Sequence, residues 1–501
     1  MTSRRTVTAR RRAHGAGRPL LIGIALGLGL VSAPAAHAST YRVYTASAAS
    51  SMTLNAGDGV CTLAEAVQHA SDNPIYNCTD FAPGSSEQRI ELLESPNKPY
   101  SANHFKITSL TLVRQGIRIR VVGSGSGAFI DSTCPSVNPC SASAFVVPFK
   151  SIGFFERVTL TNTAGSRGSR LIENYGELGL NFVTITKGDV SGAQHPSGRG
   201  GGIFNGTTQG LFPAVISFAE NTVITQNRAK KGGGIYNDSS IINELQATIS
   251  NNSATLAGGG IYNISNSLDP GRPTNGTIET TGLSVTGNTA RTGGGIFNRA
   301  WIELLSASTI SGNSTTSSGS SGEKCTGSTS CDGMGGGVLN AHISASAADN
   351  TPSGSVTRFT LLSSTLSNNT ASARGGAVYS VGVLELGGNA INGNRAADGA
   401  VIYMTGPTDG MQQYCNTYGA SNVGTSTIMN NCVLVNGNCS NATGFFSIVS
   451  GSTGGRGDFR GCTFGGLRTP GQTTYMTASG NSTPLCQSAV IDINSRCPPQ
   501  P

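Results

Sequence analysis

Several residue types are scarce in this chain, and each scarcity excludes a class of protein. Only 12% of the 501 residues are charged, 6% are aromatic and one is tryptophan. Histidine is also rare and no Cys-x-x-C sequence is present, so a zinc-finger type of metal site is not expected. Beyond Ala70 no amphipathic helical pattern of useful length occurs, which excludes a fold that alternates strands with helices.

Acid–base motifs are also missing. The sequence has no Asp-Asp and no Asn-Thr-Asp, and its one His-Gly is His14-Gly15. Lyases and hydrolases of acidic polysaccharides need clustered or paired acids next to a base. We therefore expect no catalysis, with a polysaccharide lyase or glycoside hydrolase as the alternative.

Basic residues are concentrated at the N-terminus. Six arginines precede the apolar run Leu20–Val31, which ends in Ala36-His37-Ala38, the pattern of a secretory signal peptide over residues 1–38. Its removal leaves 27 Lys and Arg against 26 Asp and Glu, so the formal charge of +7 disappears. A nearly neutral mature chain is not expected to bind nucleic acid, and the sequence predicts no transmembrane anchor after the signal.

The twelve cysteines all follow the signal. An even count in an exported chain predicts disulfides. Proximity along the chain suggests four pairs, and it leaves Cys415, Cys432, Cys439 and Cys462 with three possible connectivities. The suggested pairs are Cys61–Cys78, Cys134–Cys140, Cys325–Cys331 and Cys486–Cys497.

Glycine, by contrast, is abundant, and it recurs in one phrase: three glycines, a branched apolar residue, an aromatic residue and asparagine. Each copy follows a second phrase of the type T-I-S-x-N, as in Ala247–Asn252. A fixed phrase at intervals of a few tens of residues predicts a solenoid. The copies lie at Gly200–Asn205, Gly232–Asn237, Gly258–Asn263, Gly293–Asn298 and Gly335–Asn340, with a decayed copy at Arg374–Ser380.

Short β-branched strands separated by turns make this solenoid a parallel β-helix. Alternate apolar residues are predicted to point into the coil, and the asparagines to stack as a hydrogen-bonded ladder. We place a capping segment over 39–100, the β-helix over 101–405, and terminal coils with a Cys-rich cap over 406–501. The cap contains a short helix that starts at Thr62 with a capping box to Glu65. Inserted loops are expected at Ser265–Gly276, Thr315–Met334 and Ala341–Thr357.

The segment Cys61–Ala66 reads CTLAEA and follows Gly57-Asp58-Gly59, which resembles the secreted bacterial right-handed parallel β-helix proteins that begin with a CSLREA segment. Ala64 stands where that motif has arginine. The glycine phrases and Phe218–Asn221 also resemble the repeats of polymorphic outer-membrane proteins. The resemblance implies an all-β, right-handed parallel β-helix of the pectin lyase type, secreted or held at the cell surface. It implies adhesion as readily as polysaccharide cleavage, so it does not settle activity.

Three sets of side chains are candidates for binding. Glu244, Glu279 and Glu303 follow successive glycine phrases and, if they form one column, could bind calcium; a solvated face is the simpler interpretation. Basic residues just before the phrases could contact an anionic glycan, although isolated surface charges usually contribute little. The aromatic residues of the phrases could stack on sugars, although an internal stack is the simpler interpretation. The basic set is Arg199, Lys230, Lys231, Arg291 and Arg374.

The sequence thus favours an exported, non-catalytic, adhesin-like rod whose partner is a polysaccharide or cell-surface glycan. Its inserted loops are the expected binding elements, because loops on a repetitive scaffold commonly carry function.

Overall fold

The structure is a computed structural model. It describes residues 39–44, 61–71, 78, 87–93, 105–107, 110–112, 118–125, 127–132, 143–163, 169–192, 197–207, 213–243, 246–265, 276–316, 323–326, 329–341, 357–381, 383–387, 389–405, 426–429, 432–435, 438–440, 446–449, 462–464 and 476–479. The predicted signal peptide lies outside these residues.

The chain winds through stacked coils, and each coil adds one strand to several parallel sheets. One coil runs through Val215–Phe218, Thr222–Thr225, Arg228–Lys231 and Ile235–Asn237 before the next begins at Ser240. We name the sheets 1 to 4 in this order. Each of these strands pairs in parallel with the equivalent strand of the next coil. The predicted all-β parallel β-helix is confirmed.

The strand bounds follow this path through the described residues. Sheet 1 contains Ser39–Tyr44, Glu87–Leu93, Arg118–Gly123, Ile152–Glu156, Glu177–Asn181, Val215–Phe218, Ser240–Asn243, Thr277–Thr281, Trp301–Ser306, Arg358–Leu362 and Val383–Gly387. Sheet 2 contains Phe105–Ile107, Ala128–Ser132, Val158–Thr161, Thr184–Thr186, Thr222–Thr225, Ala247–Ser250, Leu283–Thr286, Thr309–Ser311, Thr365–Ser367, Ala390–Asn392, Ser426–Met429 and Cys462–Phe464. Sheet 3 contains Arg228–Lys231, Ser253–Ala257, Thr289–Thr292 and Ser314–Thr315. Sheet 4 contains Leu110–Thr111, Phe145–Val147, Ile172–Asn174, Ile203–Asn205, Ile235–Asn237, Ile261–Ile264, Ile296–Arg299, Val338–Asn340, Val378–Ser380, Ile402–Thr405, Phe446–Val449 and Met476–Ser479. Two smaller groups contain Lys324–Thr326 with Thr329–Ser330, and Arg395–Ala396 with Cys432–Val435 and Asn438–Ser440.

Strands of sheet 1 occur earlier than the sequence suggested. Ser39–Tyr44 pairs with Glu87–Leu93, and that strand pairs with Arg118–Gly123. The segment predicted to be only a cap therefore already contributes strands of the solenoid. A helical insertion separates the first two strands of this segment, and the segment has no glycine phrase, so the sequence repeat does not predict these strands.

The helix, α1, spans Leu63–Ala70 and contacts the first strands of the solenoid. Thr62 is its N-cap, and the capping box with Glu65 is present as predicted. Leu63, Ala66 and Val67 are buried on the face that the periodicity indicated. The helix thus closes the apolar interior at this end, as expected for a cap.

Inward-facing aliphatic residues form one continuous core along the coils. In sheet 2, Ile224, Ile249, Val285 and Ile310 occupy the same register position in successive coils. All four are buried. Because each coil packs on its neighbours rather than on a single centre, the core extends with the number of repeats.

The first two glycines of the phrase are required for different reasons. The first glycine has positive φ, as at Gly258 (65°). The second allows close approach of the coils, since a Cβ on Gly259 would lie 2.3 Å from the Gly294 carbonyl oxygen. Substitution at the second position therefore forces adjoining coils apart.

Asparagine side chains form two buried ladders, of which one was predicted. In the predicted ladder each Nδ2 donates to Oδ1 of the next asparagine, as from Asn237 to Asn263 at 2.7 Å and from Asn263 to Asn298 at 2.9 Å. The second ladder belongs to the T-I-S-x-N phrase, where the Asn288 amide also accepts from the Asn252 backbone N–H. The first ladder contains Asn174, Asn205, Asn237, Asn263, Asn298 and Asn340, and the second contains Asn227, Asn252, Asn288, Asn313, Asn369 and Asn394.

Candidate functional site

The aromatic residues of the glycine phrases form a stacked column on the outer face of sheet 4. Ring centroids are 5.4 Å apart for Phe204 and Tyr236, 5.1 Å for Tyr236 and Tyr262, and 4.9 Å for Tyr262 and Phe297. Neighbouring planes differ by 10° or less. The stack follows directly from the strand register, which places these rings at the same position in successive coils.

This aromatic column is not part of the central core. In the strand Ile235–Asn237, the isoleucine belongs to the core, whereas Tyr236 belongs to a second apolar cluster. Successive residues of a strand point to opposite faces, so the ring lies on the outer face. Tyr236, Tyr262 and Phe297 are nevertheless buried. The expected stack is present, but it lies outside the coil and beneath other side chains.

Cations lie against the rings of this column and of its continuation. Arg199 is 5.0 Å from the Tyr236 centroid, and Lys231 is 5.2 Å from the Tyr262 centroid. Cation–π contacts of this kind contribute about 0.5–1 kcal/mol at exposed sites and more where they are desolvated. The remaining pairs are Arg170 with Phe204, Arg299 with Phe297, and Arg374 with Tyr403.

The predicted basic residues occupy this surface without forming one uninterrupted row. Arg199 and Lys231 pair in register in adjacent coils and begin this row. The next positions along that row are Ala257, Thr292 and Met334, and only then does Arg374 follow. The row therefore holds basic residues at two separated places, and Asp398 follows Arg374 in the next coil.

Lys230 and Arg291 lie one residue to the side of this row. Arg291 lies 3.6 Å from Asp332 of the inserted segment, so its charge is compensated within the protein. The side chain of Lys230 packs so closely over Gly198 that a Cβ at position 198 would collide with it. Lys230 and Arg291 therefore do not lie in the same row as Arg199, Lys231 and Arg374.

An internal carboxylate that sequence reasoning missed binds the middle of the column. Glu323 Oε1 lies 3.1 Å from Lys231 Nζ and 2.9 Å from an Arg299 guanidinium nitrogen. It also accepts from the Tyr262 hydroxyl at 3.4 Å, and Arg299 donates to the same hydroxyl at 3.2 Å. Removing one partner from a buried ion pair typically costs about 3–5 kcal/mol, because the other charge remains buried.

This network anchors the inserted segment over the column. The Cys331 backbone N–H donates to the Glu323 carbonyl, and the Cys331 carbonyl accepts from the Thr292 hydroxyl. Met334 packs against the same apolar cluster. The segment thus covers Tyr262 and its neighbours, while Phe204 stays half-buried at one end.

A polar cluster closes the N-terminal end of the column. Glu173 accepts from the Ser143 and Tyr175 hydroxyls and forms an ion pair with Arg170 at 3.0 Å. Burial acts to raise the pKa of Glu173, but the Arg170 charge and these hydrogen bonds outweigh it, so the pKa is lowered. Burial and the bond to Glu173 raise the pKa of Tyr175. A carboxylate held ionised and a phenol held neutral are poor general bases at neutral pH.

At the C-terminal end, Tyr379 and Tyr403 stack with centroids 5.3 Å apart. Burial, reinforced by the neighbouring Tyr403, raises the pKa of Tyr379 to about 12. Burial also raises the pKa of Tyr403, against the opposing charge of Arg374. Arg374 is exposed, so this end of the column presents a cation to solvent.

The strand register does not place Glu279 and Glu303 in one column, and calcium binding by Glu244, Glu279 and Glu303 stays a prediction. Glu279 pairs in register with Ile242 and Leu304 rather than with another glutamate, because a bulge in the following strand displaces Glu303. Glu244 lies outside the described residues, and Glu279 is exposed on the outer face of sheet 1. Among the residues that the structure describes, no three side chains of metal-binding type are grouped.

Of the predicted disulfides, Cys61–Cys78 is formed, with Cα atoms 4.9 Å apart. Cys331 is also disulfide-bonded. The predicted partner is Cys325, on the strand Lys324–Thr326. The structure does not describe the Cys325 side chain, so that pairing stays a prediction. Cys134, Cys140, Cys486 and Cys497 lie outside the described residues.

The long insertions adjoin sheet 4 at both of its corners. Ser265–Gly276 and Ala341–Thr357 connect strands of sheet 4 to strands of sheet 1. Thr315–Met334 lies between sheet 3 and sheet 4. The aromatic column therefore runs along the one sheet that these insertions bracket.

Comparison with known proteins finds the same repeat. Residues 216–238, 246–264 and 363–381 match the Chlamydia polymorphic membrane protein repeat. Each matched segment passes through a T-I-S-x-N type phrase and ends in or just after a glycine phrase or its decayed copy. No curated protein and no solved structure matches the chain. In the described part, no helix has the length and hydropathy needed to cross a bilayer.

Proposed function

We propose that this protein is an exported, non-catalytic rod at the cell surface, and that it attaches to acidic glycans through the outer face of sheet 4. The observation that carries the proposal is the coincidence of three features on one face: the aromatic column, its cations and the bracketing insertions. The matched repeats support a surface location, because they are named for membrane proteins.

The two ends of the column are the proposed contact points. In the middle, Lys231 and Arg299 already form ion pairs with Glu323, so an acidic ligand gains less there. At the ends, Arg199 is half-buried over Tyr236 and Arg374 is exposed over Tyr403. Guanidinium groups match carboxylate and sulfate oxygens well, and the buried rings beneath Arg199 and Arg374 hold these groups in place by cation–π contact.

The test is a glycan array probed with the secreted protein and with the double variant Arg199→Glu, Arg374→Glu. We expect binding to acidic glycans to be lost and the melting temperature to stay close to that of the wild type. Wild-type binding should also weaken with salt, since exposed charges are screened over ~8 Å at physiological ionic strength.

The matched control is Lys187→Glu, Arg395→Glu, which changes charge equally at exposed positions away from sheet 4. Equal loss in this control would reduce the interaction to net charge and refute the proposed face. Release of unsaturated sugars from a polyuronate, abolished by a single carboxylate substitution, would refute the non-catalytic assignment.

A further inference from the structure

Sheet 2 carries a regular array of hydroxyl groups on its outer face. Each strand from Thr184–Thr186 to Thr309–Ser311 places two partly exposed residues on either side of a buried aliphatic residue. In the flanking strands Val158–Thr161 and Thr365–Ser367 the register is the same, but Thr161 and Ser367 are buried. In Thr184–Thr186, for example, both threonines are partly exposed and Ile185 is buried. The outward positions therefore form two ranks that run along the rod.

The register makes these ranks straight. Thr184 pairs with Thr159 and Val223, and Thr186 pairs with Thr161 and Thr225, with no bulge in this sheet over these coils. The first rank is Thr159, Thr184, Val223, Thr248, Ser284, Thr309 and Thr365, and the second is Thr161, Thr186, Thr225, Ser250, Thr286, Ser311 and Ser367.

The turns on both sides of sheet 2 keep this face unobstructed. Between Thr184 and Ser367, one to three residues connect sheet 1 to sheet 2, and two residues connect each strand of sheet 2 to the next strand of sheet 3. The long insertions leave from the corners next to sheet 4 instead. Sheets 1 and 3, by contrast, contain register shifts.

The chemistry of the two ranks is uniform. Every position except Val223 bears a hydroxyl, and neither rank contains a charged or aromatic residue. A hydroxyl donates one hydrogen bond and accepts others, while the threonine methyl group adds apolar surface beside it. Because threonine has few χ1 rotamers, the groups are held in place before any ligand arrives.

We propose that this face binds ice. Along a rank the groups repeat about every 4.8 Å, the strand spacing, and across the ranks they lie about 6.6 Å apart, two residues along a strand. Both repeats approach oxygen spacings on prism faces of hexagonal ice, so the array can hold water in ice-like positions. Ice is uncharged and offers donors and acceptors in a plane, which matches an uncharged hydroxyl face.

A crystalline polysaccharide is a poorer match to this face. Planar sugar surfaces are commonly bound by aromatic rings, and the aromatic column of this protein lies on sheet 4 instead. Each hydroxyl contributes weakly, but many identical groups on one rigid frame bind together, so the attachment gains from multivalency. The proposal is independent of glycan binding by sheet 4.

The experiment uses the full, disulfide-bonded secreted protein. Thermal hysteresis and the shape of single ice crystals are measured in a nanolitre osmometer, and incorporation into a growing ice hemisphere is measured by protein assay. We expect the wild type to shape crystals, to produce hysteresis and to enter the ice. Absence of all three overturns the proposal, as does adsorption to crystalline chitin or cellulose without entry into ice.

Variants assign the activity to the face. Thr286→Lys, inside the second rank, should reduce hysteresis several-fold, and Thr286→Ser should restore most of it. Thr277→Lys is the control, because Thr277 is an outward residue of sheet 1 in the same coil. Equal loss in this control, with melting temperatures unchanged, places the activity elsewhere and overturns the assignment. If Thr286→Lys fails to fold, Thr309→Lys in the first rank serves the same comparison.

Discussion

Replacing Asn263 by alanine tests the ladder at one rung. The Asn263 amide nitrogen donates to the Gly276 carbonyl at 2.7 Å and to Asn298 Oδ1 at 2.9 Å, and its oxygen accepts from Asn237 at 2.7 Å. Asn237 keeps a second acceptor, the Ser239 carbonyl, and Asn298 Oδ1 keeps a second donor, the Ala300 N–H. The Gly276 carbonyl loses the side-chain donor.

The magnitude follows from that count. A buried polar group left without its partner costs about 1–3 kcal/mol. Because two of the three partners keep another bond, we expect Asn263→Ala to cost about 1–3 kcal/mol in total rather than that amount for each bond. Asn288→Ala should cost at least as much, because Asn288 Oδ1 also accepts from the Asn252 backbone N–H.

The assay is denaturant unfolding followed by circular dichroism, with Asn392→Ala as control. Asn392 is partly exposed on the outer face of sheet 2, and surface substitutions usually change stability by less than about 0.5 kcal/mol. If Asn263→Ala and Asn392→Ala unfold at the same denaturant concentration, the ladder is not a buried hydrogen-bonded element and the reasoning fails.

Three further predictions concern the coil contact, the buried phenols and the inserted segment. Gly259→Ala should destabilise the protein far more than Gly282→Ala, because a Cβ on Gly259 meets a carbonyl oxygen at 2.3 Å whereas Gly282 has positive φ but no neighbour closer than 3.8 Å; similar melting temperatures would contradict it. Tyr379 should remain protonated until about pH 12, seen as delayed absorbance at 295 nm. Since its folded pKa lies above the usual 10.0, its stabilisation is complete below pH 10 and is lost as pH rises toward 12, and a normal phenol titration in the folded protein would count against burial. Peptide mapping of secreted protein should recover Cys325 linked to Cys331, and recovery of Cys325 as a free thiol would show that Cys331 has another partner.

Residues that repeat with the coil were predictable, because their environment is set by the register. The glycine phrase predicted the stacked coils and the asparagine ladder that contains Asn263. The second ladder could have been predicted in the same way, since an asparagine such as Asn252 ends every T-I-S-x-N phrase. The outward direction of Tyr236 could also have been predicted, because Ile235 takes the inner face and neighbours in a strand alternate.

Residues whose neighbours depend on insertions were not predictable. Lys231 and Glu323 are 92 residues apart in sequence, and Glu323 lies in a segment of irregular length. Glu303 does not pair with Glu279, because a bulge shifts the register of its strand. The sequence pattern shows neither the insertion path nor the bulge, because both depend on packing with other coils.

The parallel stacking has a mechanical consequence for the proposed role in attachment. The hydrogen bonds between coils run along the rod, so tension between its ends loads the coils in series and peels them away one at a time. Asn227 and Asn252 occupy equivalent places in adjacent coils 25 residues apart. A released coil of that length therefore extends to about 85 Å, against the ~4.8 Å it occupied in the stack. We expect single-molecule pulling to record stepwise lengthening, with steps of about 80 Å for the 25-residue coils and longer steps where insertions lengthen a coil to 36 or 56 residues. The rod should therefore lengthen gradually under load.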